Sequence, residues 1–248
     1  MKILEMEGMM ANEWHGLVLY APSGEPTSPS SNVPGYFTAQ KEYIKLMTQT
    51  YRKNQFSIET REVYTKSDLR RELKRLRDAN KNPSLAGFDM VHFIGHGSSD
   101  GIGLTYERVE MDKPSAREMF KDIKVQCLLY SCCDMGKNQT LLDQICVTSK
   151  SELTLAYRVR LEHPHAFLID SLVYHLVWGQ TPRFFENLPW KEIVERLEAI
   201  IDRGLLYGRG RGQRENRLAH STAFDDKREK AIDTLINSYE KSANDYPA

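Results

Sequence analysis

The sequence predicts an α/β fold of three layers, in which a mostly parallel sheet lies between two layers of helices. From about residue 16 to residue 180, short apolar runs alternate with longer segments whose apolar residues recur at helical spacing. Some of these runs are continuously apolar, which is typical of parallel strands buried on both faces. The repeated strand–helix–strand order puts helices on both faces of one sheet.

The first two strands and helices follow from local patterns. Residues 16–21 (GLVLYA) are continuously apolar and form the first strand. Thr38 caps the first helix. Apolar and polar residues alternate over 56–63, which predicts a strand near the sheet edge with one face exposed to solvent. Ser67 caps the second helix. The apolar stripe of that helix is formed by Leu69, Leu73 and Leu76.

The later predicted elements run from a third strand to a helix that ends at residue 178. Residues 88–94 form the third strand, and the residues that follow resemble a small hairpin at 98–112. A short helix near 115–121 leads into the fourth strand at 125–130. The remaining predicted elements are a helix through Leu141, Leu142 and Ile145, a fifth strand at 153–159 and a helix at 165–178.

The C-terminal part differs in character, so we divide the chain into a domain at 1–183 and a helical extension at 184–248. One helix of the extension has a core face made of Trp190, Ile193, Leu197 and Ile200. A glycine- and arginine-rich stretch at 204–217 follows, and a final helix is predicted from near Ser221. Because the stretch is accessible, it is a candidate site for self-cleavage or for contact with an acidic partner.

The composition is that of an ordinary globular protein, with 40% apolar and 27% charged residues and a formal net charge of zero. Without a strong charge of one sign, we expect no DNA and no membrane partner. No apolar run approaches the ~20 residues of a spanning helix, and the N-terminus has no signal-peptide core, which predicts a cytoplasmic protein. The four cysteines, at positions 127, 132, 133 and 146, are expected to be free thiols.

Two candidate catalytic residues follow neighbouring predicted strands. His96 comes just after the third strand and Cys133 just after the fourth. Reacting groups gather beyond the carboxyl ends of parallel strands, and consecutive parallel strands are often only about 5 Å apart. A histidine near a thiol takes its proton or stabilises its thiolate, which makes Cys133 the candidate nucleophile and His96 the candidate base. Gly97 lets the backbone turn, and its N–H and that of Cys133 are the candidate oxyanion hole.

These two segments resemble the caspase-like cysteine peptidases, which include caspases, clostripain and separase, and above all their CHAT domains. CHAT domains contain an apolar strand, GHG, a small hairpin, a second apolar strand and a stretch like L-S-A-C-x-S-G. Here the GHG is Gly95-His96-Gly97, and the last stretch is YSCCDMG at 130–136. The clostripain-like pattern A-C-x-M-G gives the same register, with Cys132 in the small-residue position. The resemblance covers about residues 16–180, including AFLIDSLVYHLVWGQ.

The resemblance implies a caspase-type sandwich and a cysteine endopeptidase that forms a thioester acyl-enzyme at Cys133. It implies a protein substrate, no metal or organic cofactor in the chemistry, and a sensor or activating protein, since bacterial relatives act in antiviral defence or regulated cell death. The alternative is a catalytically silent scaffold or regulatory partner, against which the intact His96 and Cys133 argue.

This chain lacks the residue by which these families select the substrate at the cleavage site. Two residues before the cysteine, caspases have a glutamine and clostripain-like enzymes an aspartate, whereas this chain has Ser131. Ser131 and Tyr157 are the expected substrate contacts, and the preference at the cleavage site stays open.

Two other interpretations compete with this site. A zinc site would need convergent ligands such as His92, His96, Cys132 and Cys133, but their spacing matches no metal pattern. The glycines at 95, 97, 101 and 103 resemble a phosphate-binding loop, although no helix is predicted after them. His92 itself is expected to be a hydrogen-bonded core residue.

Overall fold

A computed structural model describes residues 14–22, 36–50, 56–82, 87–158, 163–178, 195 and 218–222. The helices are α1 (Tyr36–Thr50), α2 (Lys66–Lys81), α3 (Pro114–Arg117), α4 (Gln139–Ser149) and α5 (His163–Trp178). The strands are β1 (Trp14–Tyr20), β2 (Phe56–Glu62), β3 (Met90–Ile94), β4 (Gly97–Ser98), β5 (Gly101–Gly103), β6 (Arg108–Glu110), β7 (Cys127–Ser131), β8 (Leu153–Tyr157) and β9 (Leu218–Thr222). Two 3₁₀ turns lie at Glu118–Phe120 and Met135–Lys137.

The central sheet has the strand order β2-β1-β3-β7-β8-β9. The pairs from β2 to β8 are parallel, and β9 pairs antiparallel with β8. The predicted α/β fold with a mostly parallel sheet is therefore confirmed. The segment after β3, expected to be a small hairpin, is a three-stranded antiparallel sheet of β4, β5 and β6.

Two hydrophobic clusters lie on opposite faces of the sheet and make the three layers. One cluster joins the sheet to α2, α3 and α4, and the other joins it to α1 and α5. Successive residues of a strand point to opposite faces, so that Phe93 of β3 belongs to the first cluster and Ile94 to the second. β1 is buried from Gly16 to Tyr20 because its side chains enter the clusters on both faces of the sheet. The alternating β2 lies at the sheet edge, as the sequence predicts.

Both helix caps predicted from the sequence are wrong. α1 begins at Tyr36, so Thr38 lies inside it. The N-cap of α2 is Thr65: its hydroxyl accepts a hydrogen bond from the Asp68 N–H at 3.2 Å, and the Asp68 carboxylate accepts one from the Thr65 N–H at 3.0 Å. This reciprocal capping box uses an aspartate where glutamate is more usual, and it places the N-cap two residues before Ser67.

The C-terminal part contributes a strand at the place where the final helix was expected to begin, and the rest of that predicted helix lies outside the described residues. Ser221 lies in β9, which extends the central sheet beyond β8. Apart from Glu195 and β9, the predicted extension lies outside the described residues, including the helix through Trp190 and the stretch at 204–217, and the boundary at 183/184 stays a prediction. In the part of the chain that the structure describes, no helix is long and apolar enough to cross a bilayer.

We expect Thr65→Ala to lower the free energy of unfolding by about 1 kcal/mol, because it leaves an N–H of the first turn of α2 without its side-chain acceptor. Ser67→Ala is the matched control, since Ser67 is exposed on the same helix, and it should change stability by less than about 0.5 kcal/mol. Urea unfolding followed by far-ultraviolet circular dichroism measures both. Equal losses in the two variants would contradict the assignment of the cap.

Candidate active site

The register between β3 and β7 determines where the two candidate residues lie. The strands are parallel neighbours in which Ile94 pairs with Ser131. His96 and Cys133 each follow this pair by two residues, so both leave the carboxyl end of the sheet at the same level. Since neighbouring strands lie about 5 Å apart, the register brings the two segments side by side.

The backbone of Gly97 packs against the peptide that joins Cys132 to Cys133. A Cβ atom at Gly97 would lie 2.6 Å from Cβ of Cys132 and 2.6 Å from the carbonyl oxygen of Cys133, closer than non-bonded atoms approach. Glycine is needed here for close packing between two chain segments. The segment that contains His96 therefore contacts the segment that contains Cys133.

His96 is exposed at the edge of the small antiparallel sheet. Its carbonyl oxygen accepts a hydrogen bond from the Gly103 N–H at 2.8 Å. A Cβ atom at Gly103 would lie 3.1 Å from Cβ of His96, so β5 packs closely behind the histidine. The small sheet thus holds the backbone of His96 beside the end of β7.

The four cysteines differ in exposure, and all are free. Cys127, Cys132 and Cys146 are buried, whereas Cys133 is partly exposed. Burial raises the pKa of Cys127 and of Cys132 well above the ordinary range, so these two thiols stay protonated and unreactive. The expectation that Cys132 faces the interior beside Cys133 is confirmed.

The chain turns sharply just after Cys133. Asp134 has the left-handed backbone conformation, with φ of 63°, and its carboxylate pairs with the Lys137 ammonium at 2.9 Å. The Asn138 side chain then caps α4 by accepting a hydrogen bond from the Leu141 N–H at 3.1 Å. Cys133 is thus presented between a strand end and a short 3₁₀ turn.

Ser131 and Tyr157, the expected substrate contacts, lie in the interior with exposures of 4% and 2%. Their hydroxyls are 3.0 Å apart, and both donate to the carboxylate of Asp170 on α5, Ser131 at 2.6 Å. The Gln40 amide of α1 donates to the other oxygen of Asp170. Burial in this polar cluster counts against a direct role of either hydroxyl in binding substrate.

His92 belongs to the same cluster, and its expected place in the hydrogen-bonded core is confirmed. Its Nε2 lies 2.6 Å from the Ser131 hydroxyl and its Nδ1 lies 2.8 Å from the Tyr174 hydroxyl. Because Ser131 donates to Asp170, it accepts from Nε2–H, and Nδ1 then accepts from Tyr174. One neutral tautomer of His92, with the proton on Nε2, therefore satisfies all the hydrogen bonds from Tyr174 through His92 and Ser131 to Asp170.

The sequence pattern did not identify Asp170, Tyr174 or Gln40 as members of the cluster. The available signal was the presence of Asp170 and Tyr174 four residues apart in the apolar segment FLIDSLVYHLV, a spacing that puts both on one helix face. Gln40, on α1, carries no comparable signal.

The competing sites find no support in the described geometry. Among the residues that the structure describes, no three histidine, cysteine or acidic side chains are grouped to hold a metal. Gly101 and Gly103 lie in β5, which pairs with β6, and so do not lead into a helix as a dinucleotide-binding loop would.

His92 and Asp170 have pKa values displaced in opposite directions. Burial lowers the pKa of His92 from the ordinary 6.5 to about 3 and raises that of Asp170 from 3.8 to about 6, although hydrogen bonds from Ser131, Tyr157 and Gln40 oppose the second shift. Between about pH 4 and 6, one proton is bound by this pair of residues in either state. In the folded protein it is on Asp170, and in the unfolded chain it is on His92. The two groups therefore bind the same total number of protons in both states, and their effects on stability cancel.

Removing one partner should expose the pH dependence of the other. The raised pKa of Asp170 makes stability fall as the pH rises from about 4 to 6, and the lowered pKa of His92 makes it rise from about 3 to 6.5. Relative to the wild type, we expect Asp170→Asn to gain and His92→Gln to lose stability with rising pH, each by on the order of 1 kcal/mol per pH unit. Urea unfolding at pH 4.5, 5.0 and 5.5 measures this, and slopes of the same sign would contradict it.

Comparison with known proteins gives a limited result. No protein-family model matches the chain, and no curated protein matches it. Among solved structures, the chain is similar to a secreted C11 cysteine protease from Bacteroides thetaiotaomicron in complex with an irreversible peptide inhibitor, with 10% identity and a TM-score of 0.49. The similarity covers 85% of this chain and 66% of that one, so this chain spans just under two thirds of its neighbour. Similarity at this level carries no information on chemistry.

Proposed function

We propose that the protein is a cysteine endopeptidase in which Cys133 is the nucleophile and His96 is its base. The observation that supports this most is the register of β3 and β7, which starts both segments from the Ile94–Ser131 pair. The close contact of Gly97 with the Cys132–Cys133 peptide adds to it. Cys133 is also the one cysteine of the chain that is not buried.

In the first half of the proposed reaction, His96 accepts the thiol proton and the Cys133 sulfur attacks the carbonyl carbon of a peptide bond. The carbonyl oxygen becomes an oxyanion, which the backbone N–H groups of Gly97 and Cys133 stabilise. The tetrahedral intermediate collapses when the bond between carbon and nitrogen breaks and His96 protonates the leaving amine. A thioester between Cys133 and the substrate remains.

In the second half, His96 accepts a proton from water, whose oxygen attacks the thioester carbonyl carbon. The bond between carbon and sulfur breaks, which releases a carboxylic acid and returns the proton to the Cys133–His96 pair. All proton transfers therefore pass through Cys133 and His96, and both halves of the reaction use the same oxyanion hole.

A protein substrate is the natural partner of this chemistry. The sequence resemblance to CHAT domains supports a role in which a sensor or activating protein releases the activity, in antiviral defence or regulated cell death. Ser131, at the position where related enzymes have a selecting residue, is buried against Asp170. Selection at the cleavage site therefore falls to other residues.

Alkylation by an iodoacetamide probe tests the dyad without knowledge of the substrate. At pH 7 we expect selective labelling of Cys133, slowed roughly ten-fold or more by His96→Ala, because an unassisted thiol is only a few per cent thiolate at that pH. Cys133→Ala should abolish labelling and activity. Cys132→Ala, the neighbouring control, should spare both, since Cys132 is fully buried.

Peptide mapping by mass spectrometry identifies the labelled residue. Equal labelling of all four cysteines, or a Cys133 rate that does not respond to His96→Ala, would contradict the dyad and favour a catalytically silent protein.

Gly97→Ala should slow labelling of Cys133, since the new methyl group would overlap the Cys132–Cys133 backbone and push the two segments apart. We expect a stability loss of about 1–3 kcal/mol as well. Gly87→Ala is the control: its Cβ would lie 3.0 Å from the Asn80 side chain, a tight but less crowded place before the opposite end of β3. It should affect stability alone. Unchanged Cys133 labelling in folded Gly97→Ala would show that the contact does not hold the pair.

A further inference from the structure

The Asp170 carboxylate lies beneath the strand ends that lead to the proposed site, with no exposure to solvent. One oxygen accepts hydrogen bonds from the Ser131 hydroxyl at 2.6 Å and from the Tyr157 hydroxyl. The other accepts from the Gln40 amide. A single side chain of α5 thus binds residues of β7, β8 and α1.

No cation offsets the charge of this carboxylate in the part of the chain that the structure describes. The basic group within ion-pair distance there is His92, with Nε2 3.6 Å from Oδ2, and burial keeps that imidazole neutral. Burying a carboxylate without a cation is costly, and an apolar side chain would fill the same space at lower cost. What the acid adds is a fixed set of directional bonds to the ends of β7 and β8.

The bond to Ser131 bears directly on the nucleophile. Ser131 is the last residue of β7, and its carbonyl oxygen lies 3.5 Å from the Gly95 nitrogen. Cys132 follows, packed on Gly97, and then comes Cys133. With the Ser131 side chain bound to Asp170, only one buried residue separates a fixed point of the sheet from the reactive sulfur.

We propose that Asp170 is a positioning residue for the nucleophile, acting through the Ser131 hydroxyl to hold Cys133 in line with His96. This inference rests on the proposed peptidase function, and it deepens it by assigning a third residue to the same site.

The protonation state of Asp170 matters for this role. Burial raises its pKa to about 6, so it is ionised at neutral pH and accepts all its bonds. Below that pH, a proton on one oxygen replaces an acceptor by a donor and competes with the bonds that hold Ser131. The titratable groups that face Asp170 from the elements packed on it are His92 of β3, Tyr157 of β8 and Tyr174 of α5. Cys127 of β7 interacts electrostatically with Tyr174, and the buried thiol of Cys132, which follows β7, interacts electrostatically with Asp170. From α1 it is faced by the uncharged Gln40.

The pH profile of Cys133 labelling tests the proposal on the full chain. Between pH 5 and 9, Asp170→Asn should move the half-maximal labelling rate of Cys133 to higher pH and lower the rate at pH 7 by roughly ten-fold, since misaligned partners leave an unassisted thiol. The amide offers donors where Ser131, Tyr157 and Gln40 need acceptors. Asp143→Asn is the control, because Asp143 is a buried acid of α4 that accepts a bond from Gln139 outside the cluster. It should leave the profile unchanged.

Ser131→Ala removes the same link with the loss of one oxygen atom, and we expect the same shift in the profile. It decides the matter if Asp170→Asn does not fold, as judged by near-ultraviolet circular dichroism. A folded Ser131→Ala protein with the wild-type profile overturns the positioning role.

The wild-type and His96→Ala profiles separate this inference from the proposed function. If His96→Ala shifts the Cys133 profile but Asp170→Asn and Ser131→Ala do not, the dyad stands and the positioning role fails. If none of the three shifts it, the proposed function itself fails.

Discussion

The parallel pairing of β3 with β7 is the interaction on which the rest of the structure depends. Its register sets Ile94 opposite Ser131, and the positions of His96 and Cys133 follow from that pair because each lies two residues beyond it. A shift by one residue would turn each side chain of β7 to the other face of the sheet, since side chains alternate along a strand. Cys132 would then leave the apolar cluster toward α2 and α4, and Ser131 would lose its hydrogen bond to Asp170. Hydrophobic burial on both faces makes such a shift prohibitive.

The two faces of this strand pair do different work. Toward α2 and α4, the side chains of Phe93, Tyr130 and Cys132 fill an apolar cluster. Toward α1 and α5, two positions are polar: His92 of β3 is hydrogen-bonded to Ser131 at the end of β7, and Ser131 is hydrogen-bonded to the buried acid Asp170. The apolar face supplies packing energy, which is indifferent to direction, whereas the polar face supplies directional bonds close to where Cys133 leaves the sheet.

The sequence predicted the features that depend on periodicity and on local motifs. Continuous apolar runs identified the inner strands, and alternation placed β2 at the edge. The adjacency of the segments that carry His96 and Cys133 followed from topology, because both segments come after neighbouring parallel strands. The cap at Thr65 was missed because an aspartate completes its capping box, and Ser67 matched the commoner pattern.

Features that depend on distant contacts were beyond the sequence. β9 pairs with a strand far away in the chain, and five residues carry too little pattern to be told from the start of a helix. Ser131 was expected to contact substrate because it lies two residues before the candidate nucleophile, where the families that the sequence resembles have a selecting residue. Its hydroxyl is bound by Asp170 of α5, and Asp170 is in turn bound by Gln40 of α1. Both residues are distant from Ser131 in the sequence.

The place of β9 has a consequence for biosynthesis. β8 ends at residue 157, but the strand that covers its free edge starts only at residue 218. During translation, the sheet that supports the proposed site is therefore exposed at one side until the C-terminal part has emerged. An unpaired edge of this kind is a template for adding a strand from another chain. The central sheet is therefore complete only when the polypeptide has been synthesised through residue 222, because β9 then pairs with the free edge of β8.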